Sequence, residues 1–296
     1  MKQAPPGGYL AIDLLVVKHS GEYVQGLGPA WSSSDKGVVW SHTFVSVGLV
    51  YPKECFVYPL GLLPFLDKTM ATEVYRHQTP SEAFLKIAKQ VGKHYSIEAL
   101  LGDGQFITDE VLAKAQSDLV GRCRGGHYVD FEGERIQVKA LAQRYPPTKK
   151  ARYYKRFGWY AKRLNVTVPS ANHKACDLII IWKPRAEGFE LLTLFSTLDA
   201  GVQEVLAAWK SRWKQEVGHK LKKQTLGLRK CQCRSYTSQL KHADLVVEAF
   251  HHIRQTSTLN PSLSWRDARN STTDSLKNPP QSPKNPVQTD IPPPLP

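Results

Sequence analysis

The sequence predicts an α/β protein built on a mixed sheet flanked by helices. Three observations carry this. Residues 9–17 (YLAIDLLVV) form a continuous apolar run, as in strands buried on both faces. Two more β-rich runs follow, 38–50 and 55–63. From Thr79 onward, helical and strand periodicities alternate, the pattern of helices laid over a sheet.

Each element has a local reason. A Gly/Ser-rich loop, 21–37, separates the first run from the second. Thr79-Pro80-Ser81-Glu82 starts a helix: Thr caps, Pro takes the first position, Glu stands three after the cap. Phe84, Ile87, Ala88, Val91 and Tyr95 then recur at helical spacing. A short strand, 98–101, ends at Gly102-Asp103-Gly104. A second helix begins near Thr108, with Val111, Leu112, Ala115 and Leu119 on one side.

From Gly121 to about Ser170 the helical period is lost. Between Arg122 and Arg163 there are twelve Lys/Arg and three acids, with six aromatic residues interleaved from Tyr145 to Tyr160. Residues 176–182 and 190–197 read as strands around a turn at Gly188. One long helix is expected over 202–224 and another over 240–253. The end of the chain is rich in Pro, Ser, Asn and Thr and reads as disordered. The segments expected are 1–120 and 176–255 for the core, 121–175 for a basic β-rich insertion, and 256–296 for the tail.

Composition narrows the function. The 296 residues carry a net charge of +14, which points to an anionic partner such as nucleic acid. No stretch approaches the roughly 20 apolar residues of a membrane span. The start has no signal-peptide layout. Cys55, Cys123, Cys176, Cys231 and Cys233 are odd in number and scattered, which fits a reducing compartment. Cys231 and Cys233 lie near His242, His251 and His252, but no standard zinc spacing results.

Three acids stand out. Asp13 lies mid-strand among apolar neighbours, where an ionised carboxylate is costly unless it meets a cation. Asp103 lies between glycines at a strand's carboxyl end, where open α/β sheets place their sites. On the long helix, Val202, Val205, Leu206, Trp209, Trp213, Val217 and Leu221 form the apolar stripe. Arg212, Glu216, His219 and Lys223 share the adjoining face. Each acid alone has an ordinary reading: a satisfied core Asp, a turn Asp, a solvated Arg–Glu pair. Carboxylates from separate elements are also what Mg²⁺-dependent phosphoryl transfer needs.

The segment AWKSRWKQEVGHKLKKQTLGL resembles the last-Glu signature of bacterial insertion-sequence transposases of the DDE class. The Tyr-x2-Arg-x3-Glu-x6-Lys spacing is kept by Trp209, Arg212, Glu216 and Lys223, with Trp in place of Tyr. AIDLLVVKHSGEYVQGLGPAW and LLGDGQF are similar to the first- and second-Asp segments. The resemblance covers about residues 8 to 255. It implies a ribonuclease-H-like fold with a β-rich insertion before the last catalytic helix. It implies a DDE transposase holding two Mg²⁺ ions (or Mn²⁺) on Asp13, Asp103 and Glu216. It implies cleavage and transfer of double-stranded DNA, at transposon ends and target, by a homodimer. The place would be the bacterial cytoplasm at the nucleoid, with no membrane. Arg212 and Lys223 would sit near phosphates beside the scissile bond, with His219 or Lys220 helping. Lys155 and Arg156 would serve the DNA channel, and Trp159 or Trp182 would hold a flipped base. Two departures matter: Asp13-Leu14-Leu15 replaces the common Asp-Asp-Thr, and only twelve residues precede Asp13. A catalytically silent, DNA-binding remnant or inhibitor is the alternative, and a structure-specific nuclease a third.

Overall fold

The computed structural model describes residues 7–19, 23–32, 35–54, 57–66, 68, 76–260 and 262–277, and for 148–149 and 273–277 the backbone alone. The start of the expected run at Cys55 and the tail beyond Lys277 lie outside the described residues.

The first apolar run is β1 (Gly8–Lys18). It pairs antiparallel with β3 (Gly37–Val50), which also carries β4 (Tyr58–Phe65). On its other side β1 pairs in parallel with β5 (Ile97–Gly102). Between β4 and β5 runs α1 (Pro80–Val91), closed at its start by the Thr79–Glu82 capping box. After β5 comes α2 (Asp109–Lys114), capped by Thr108.

Three expectations are corrected in this half. The Gly/Ser-rich loop contains a further strand, β2 (Gly28–Ser32), paired with the first residues of β3. The second helix stops at Lys114. Leu119 belongs instead to β6 (Leu119–Arg122), parallel to β5. Leu119 fits either period, but its pairing with Leu100 on β5 decides for the strand.

The basic stretch builds β7 (Tyr128–Phe131), β8 (Glu134–Gln137), α3 (Val138–Gln143), α4 (Pro147–Lys150), β9 (Arg152–Tyr154) and β10 (Trp159–Val168). Then come β11 (Lys174–Pro184) and β12 (Phe189–Ser196). They do not form a separate body. β6 pairs with β5 on one side and β12 on the other, so one 12-stranded sheet runs β2-β3-β1-β5-β6-β12-β11-β10-β7-β8. β4 pairs with β3, and β9 with β10.

The expected long helix is two: α5 (Val202–Ser211) and α6 (Trp213–Gln224). At the junction Arg212 N–H reaches the Trp209 carbonyl and Gln215 N–H the Arg212 carbonyl, both three-residue bonds that tighten the turn. α7 (Tyr236–Leu259) is longer at both ends than predicted. The tail is also corrected, because α8 (Trp265–Lys277) is helical. Trp265, Ala268 and Thr272 share one face of it. Trp265 packs on Phe250 of α7 at 4.8 Å, Ala268 is buried, and the Thr272 and Thr256 hydroxyls lie 2.9 Å apart. The polar composition hid that stripe.

The sheet is covered on both faces. Leu10 and Ile12 of β1 share a core with Phe84 and Ile87 of α1, Leu112 of α2 and Leu141 of α3. Tyr9 and Ala11 point the other way, into a core with Leu206 and Trp209 of α5 and Phe250 of α7. Asp13 has the parity of that second set, facing the α5–α7 side.

Candidate active site

Strand register brings the first two acids together. β5 pairs with β1 only as far as Gly102, opposite Ile12. Asp13 is therefore the first residue of β1 past the end of its neighbour, and Asp103 follows directly where that neighbour stops. The Asp103 carboxylate accepts the Gly104 N–H at 2.7 Å, which holds the turn. The site thus lies where the parallel β1–β5 pairing stops, at the carboxyl end of β5, the usual side for sites in open α/β sheets.

α6 supplies the third acid because it lies close to the sheet. Its buried residues are Gln215, Gly218, His219 and Lys222. Ser46, opposite Asp13 in the register, accepts the Gln215 amide at 2.8 Å. A Cβ on Gly218 would meet Val57 Cγ1 at 2.7 Å, and one on Gly48 would meet Gln215 Oε1 at 2.8 Å. Glycine at both positions permits this approach. The predicted stripe is corrected here: Trp213 is exposed, and Val217 and Leu221 are half-buried. Gln215, Gly218 and Lys222 take the stripe over, following the tightened turn at Arg212.

Asp13, Asp103 and Glu216 line one cleft of about 640 Å³, with Gln105, Arg212, His219 and Lys223. Arg212 bridges two of the acids. It donates to Asp13 at 3.1 Å and to Glu216 at 2.7 Å, while its guanidinium lies 4.9 Å over the Trp209 ring. Burial pushes the Asp13 carboxyl up to about 6. Arg212 opposes that shift, and the charges of Asp103 and Glu216 add to it. Lys223 is pushed down to about 8, by burial first and by Arg229 second, against the pull of Asp13. His219 is held well below its ordinary value by burial and by Lys222, Lys223 and Arg212. It is therefore neutral at pH 7.

The other predicted DNA contacts lie outside this cleft. Lys220 is exposed on α6. Lys155 and Arg156 are exposed in the turn between β9 and β10. Trp159 is stacked on Phe157 at 5.7 Å, with the Lys183 ammonium 5.1 Å from its ring. Trp182 is buried in β11 within the apolar core, so it cannot receive a base there.

Sequence reasoning missed four cleft features. Lys18, Trp31 and Arg229 line its rim. Lys222 is wholly buried behind it, 3.4 Å from the Ser46 hydroxyl and pushed down to about 7 by burial. Alternation around Trp31 was masked by glycine and serine. A lysine inside a polar helix face gives no sequence signal. A second cleft shares Asp103 and Gln105 and continues past Arg122, Arg124 and Lys139, a basic track leading away from the acids.

The donor chemistry of the three carboxylates suits a hard, oxygen-seeking cation. Among the described residues, no three His, Cys, Asp or Glu side chains are grouped as an ion would group them. Arg212 takes the place of a cation between Asp13 and Glu216. His242 meets the Gly227 carbonyl at 3.1 Å and His252 meets Glu248 at 3.2 Å. No helix among the described residues is long and apolar enough to cross a membrane. No family model matches the chain, and no curated protein sequence does.

Proposed function

We propose that this chain is a DDE-class transposase with a ribonuclease-H-like core, cutting and joining DNA strands. One observation carries the reading. Asp13, Asp103 and Glu216, far apart in sequence, line one cleft together with Arg212, Lys223 and Arg229. The parallel β1–β5–β6 arrangement with β3 antiparallel to β1 supports the fold assignment.

Mg²⁺ held by Asp13, Asp103 and Glu216 would polarise the phosphodiester and activate the attacking hydroxyl. The chain's own groups bind and orient. Lys223 and Arg229 give the cleft positive charge for phosphates. Arg212, steadied on Trp209, offers a planar donor fork that suits a phosphate as well as it suits carboxylates. Neutral His219 leaves the cleft floor able to accept or donate one hydrogen bond. The basic track at Arg122, Arg124 and Lys139 extends phosphate contact beyond the acids.

A second reading is favoured by the Arg212 bridge. An internal cation that already bridges Asp13 and Glu216 suits a silent DNA-binding remnant. Labelled duplex DNA with Mg²⁺ separates the two, scored for nicking and joining. Cleavage lost in Asp103→Asn is the expected result. DNA bound but uncut by both proteins would leave the silent remnant standing instead.

A further inference from the structure

The hairpin formed by β2 and the start of β3 carries an exposed aromatic face. Its register pairs Pro29 with Trp40 and Trp31 with Val38. Paired residues share a face, and so do residues two apart, so all four lie together. Trp31 is 65% exposed, Val38 69% and Trp40 62%. The opposite face, with Ser32, Val39 and Ser41, is buried. Counting by twos along β3 from Ser46, which meets α6, leads to Trp40 and Val38. The aromatic face is therefore on the α6 side of the sheet, the side of Asp13. Pro29 and Trp31 belong to the cleft lining itself.

The hairpin is held in place. Lys18 on β1 pairs with Asp35 in its turn at 2.8 Å, and Asp35 accepts the Ser32 hydroxyl at 2.5 Å. Two tryptophans this open in water are costly to leave uncovered, and an exposed apolar patch beside a cleft marks a binding surface.

We propose that Trp31 and Trp40, with Pro29 and Val38 between them, form a stacking platform for unpaired bases of a DNA single strand at the cleft. Charge complementarity chooses this occupant. The platform continues into a cleft lined by Lys223 and Arg229, on a chain of net charge +14. Flat rings beside a cationic groove are how single strands are held without sequence preference. A duplex keeps its base faces stacked and offers the rings nothing. The inference deepens the transposase reading and rests on its DNA cleft.

The test uses the full chain and a fluorescein-labelled 15-nucleotide thymidine strand, followed by anisotropy beside a blunt duplex of equal length. Trp31→Ala with Trp40→Ala should weaken single-strand binding at least tenfold, since stacking is worth about 5- to 150-fold per base. Duplex binding should change less than twofold, and the Trp31→Phe, Trp40→Phe pair should keep most single-strand affinity. Both side chains are exposed, so thermal unfolding should not shift. Unchanged single-strand binding in the alanine pair would overturn the platform. So would equal loss for strand and duplex, or a shift in sedimentation with DNA binding intact, which would mark a self-association face. A parent that holds the strand through these tryptophans yet never nicks duplex supports the platform while cleavage fails. A parent that nicks while the alanine pair binds normally sinks the platform alone.

Discussion

Asp13 holds its proton up to about pH 6 in the folded chain, against an ordinary value of 3.8. Burial is the main cause, and the Arg212 bridge removes only part of it. Folded Asp13 therefore binds a proton more tightly than the unfolded carboxyl does. Its contribution is most favourable below pH 3.8 and turns unfavourable as pH rises through 6. At pH 7 the ionised form costs about 2–3 kcal/mol of stability. Asp13→Asn should consequently melt higher than the parent at pH 7.5, by roughly 2–4 °C for each kcal/mol recovered. The gain should shrink as the pH is lowered towards 4, and nicking should be lost at every pH. A variant that melts lower at pH 7.5 would show that Asp13 is a structural partner of Arg212. Under the proposed function, a site residue that opposes folding is an expected exchange of stability for chemistry.

At the scale of elements, α6 matters through its distance from the sheet. Gly218→Ala sets a methyl group against Val57, which is buried and has little room to yield. Overpacking of this kind costs about 1–3 kcal/mol. The helix should ride outward, taking Glu216 from Asp13. Nicking should fall by more than tenfold while circular dichroism stays that of the parent. Equal activity in the two proteins would mean that close packing does not set the site. The same helix shows what was legible in the sequence. The face holding Arg212, Glu216, His219 and Lys223 could be read from spacing, because spacing fixes which side chains share a side. Its buried stripe could not, because one tightened turn at Arg212 shifts the burial to Gln215, Gly218 and Lys222. The capped starts of α1 and α2 were legible because capping is local chemistry. β2 was not, since Gly, Pro and Ser around Trp31 read as a loop and the strand is made by its partner β3. Nor were the strand ends that bring Asp13 beside Asp103, because register is set between segments far apart.

For the whole molecule, the unbroken sheet is decisive. Two strand pairings, β5 with β6 and β6 with β12, tie the mixed half to the antiparallel half. A separate insertion would unfold on its own; a shared ladder couples both halves. Urea unfolding followed by tryptophan fluorescence and by far-ultraviolet circular dichroism should give one coincident transition. Two separated midpoints would show that the strands beyond β6 are an independent unit.

That sheet also sets a length. Five neighbour steps separate β1, with Asp13, from β10 at the far side of β11. At about 4.8 Å a step the span is roughly 24 Å. A DNA strand rising 3.4 Å per nucleotide covers it in about seven steps. Hydrogen-bonded strands cannot slide like hinged domains, so the interval between the acids and the outer strands is constant. For a nucleic-acid substrate laid across those strands, the sheet acts as a ruler: the bond over Asp13 is chosen by counting from wherever the backbone is gripped.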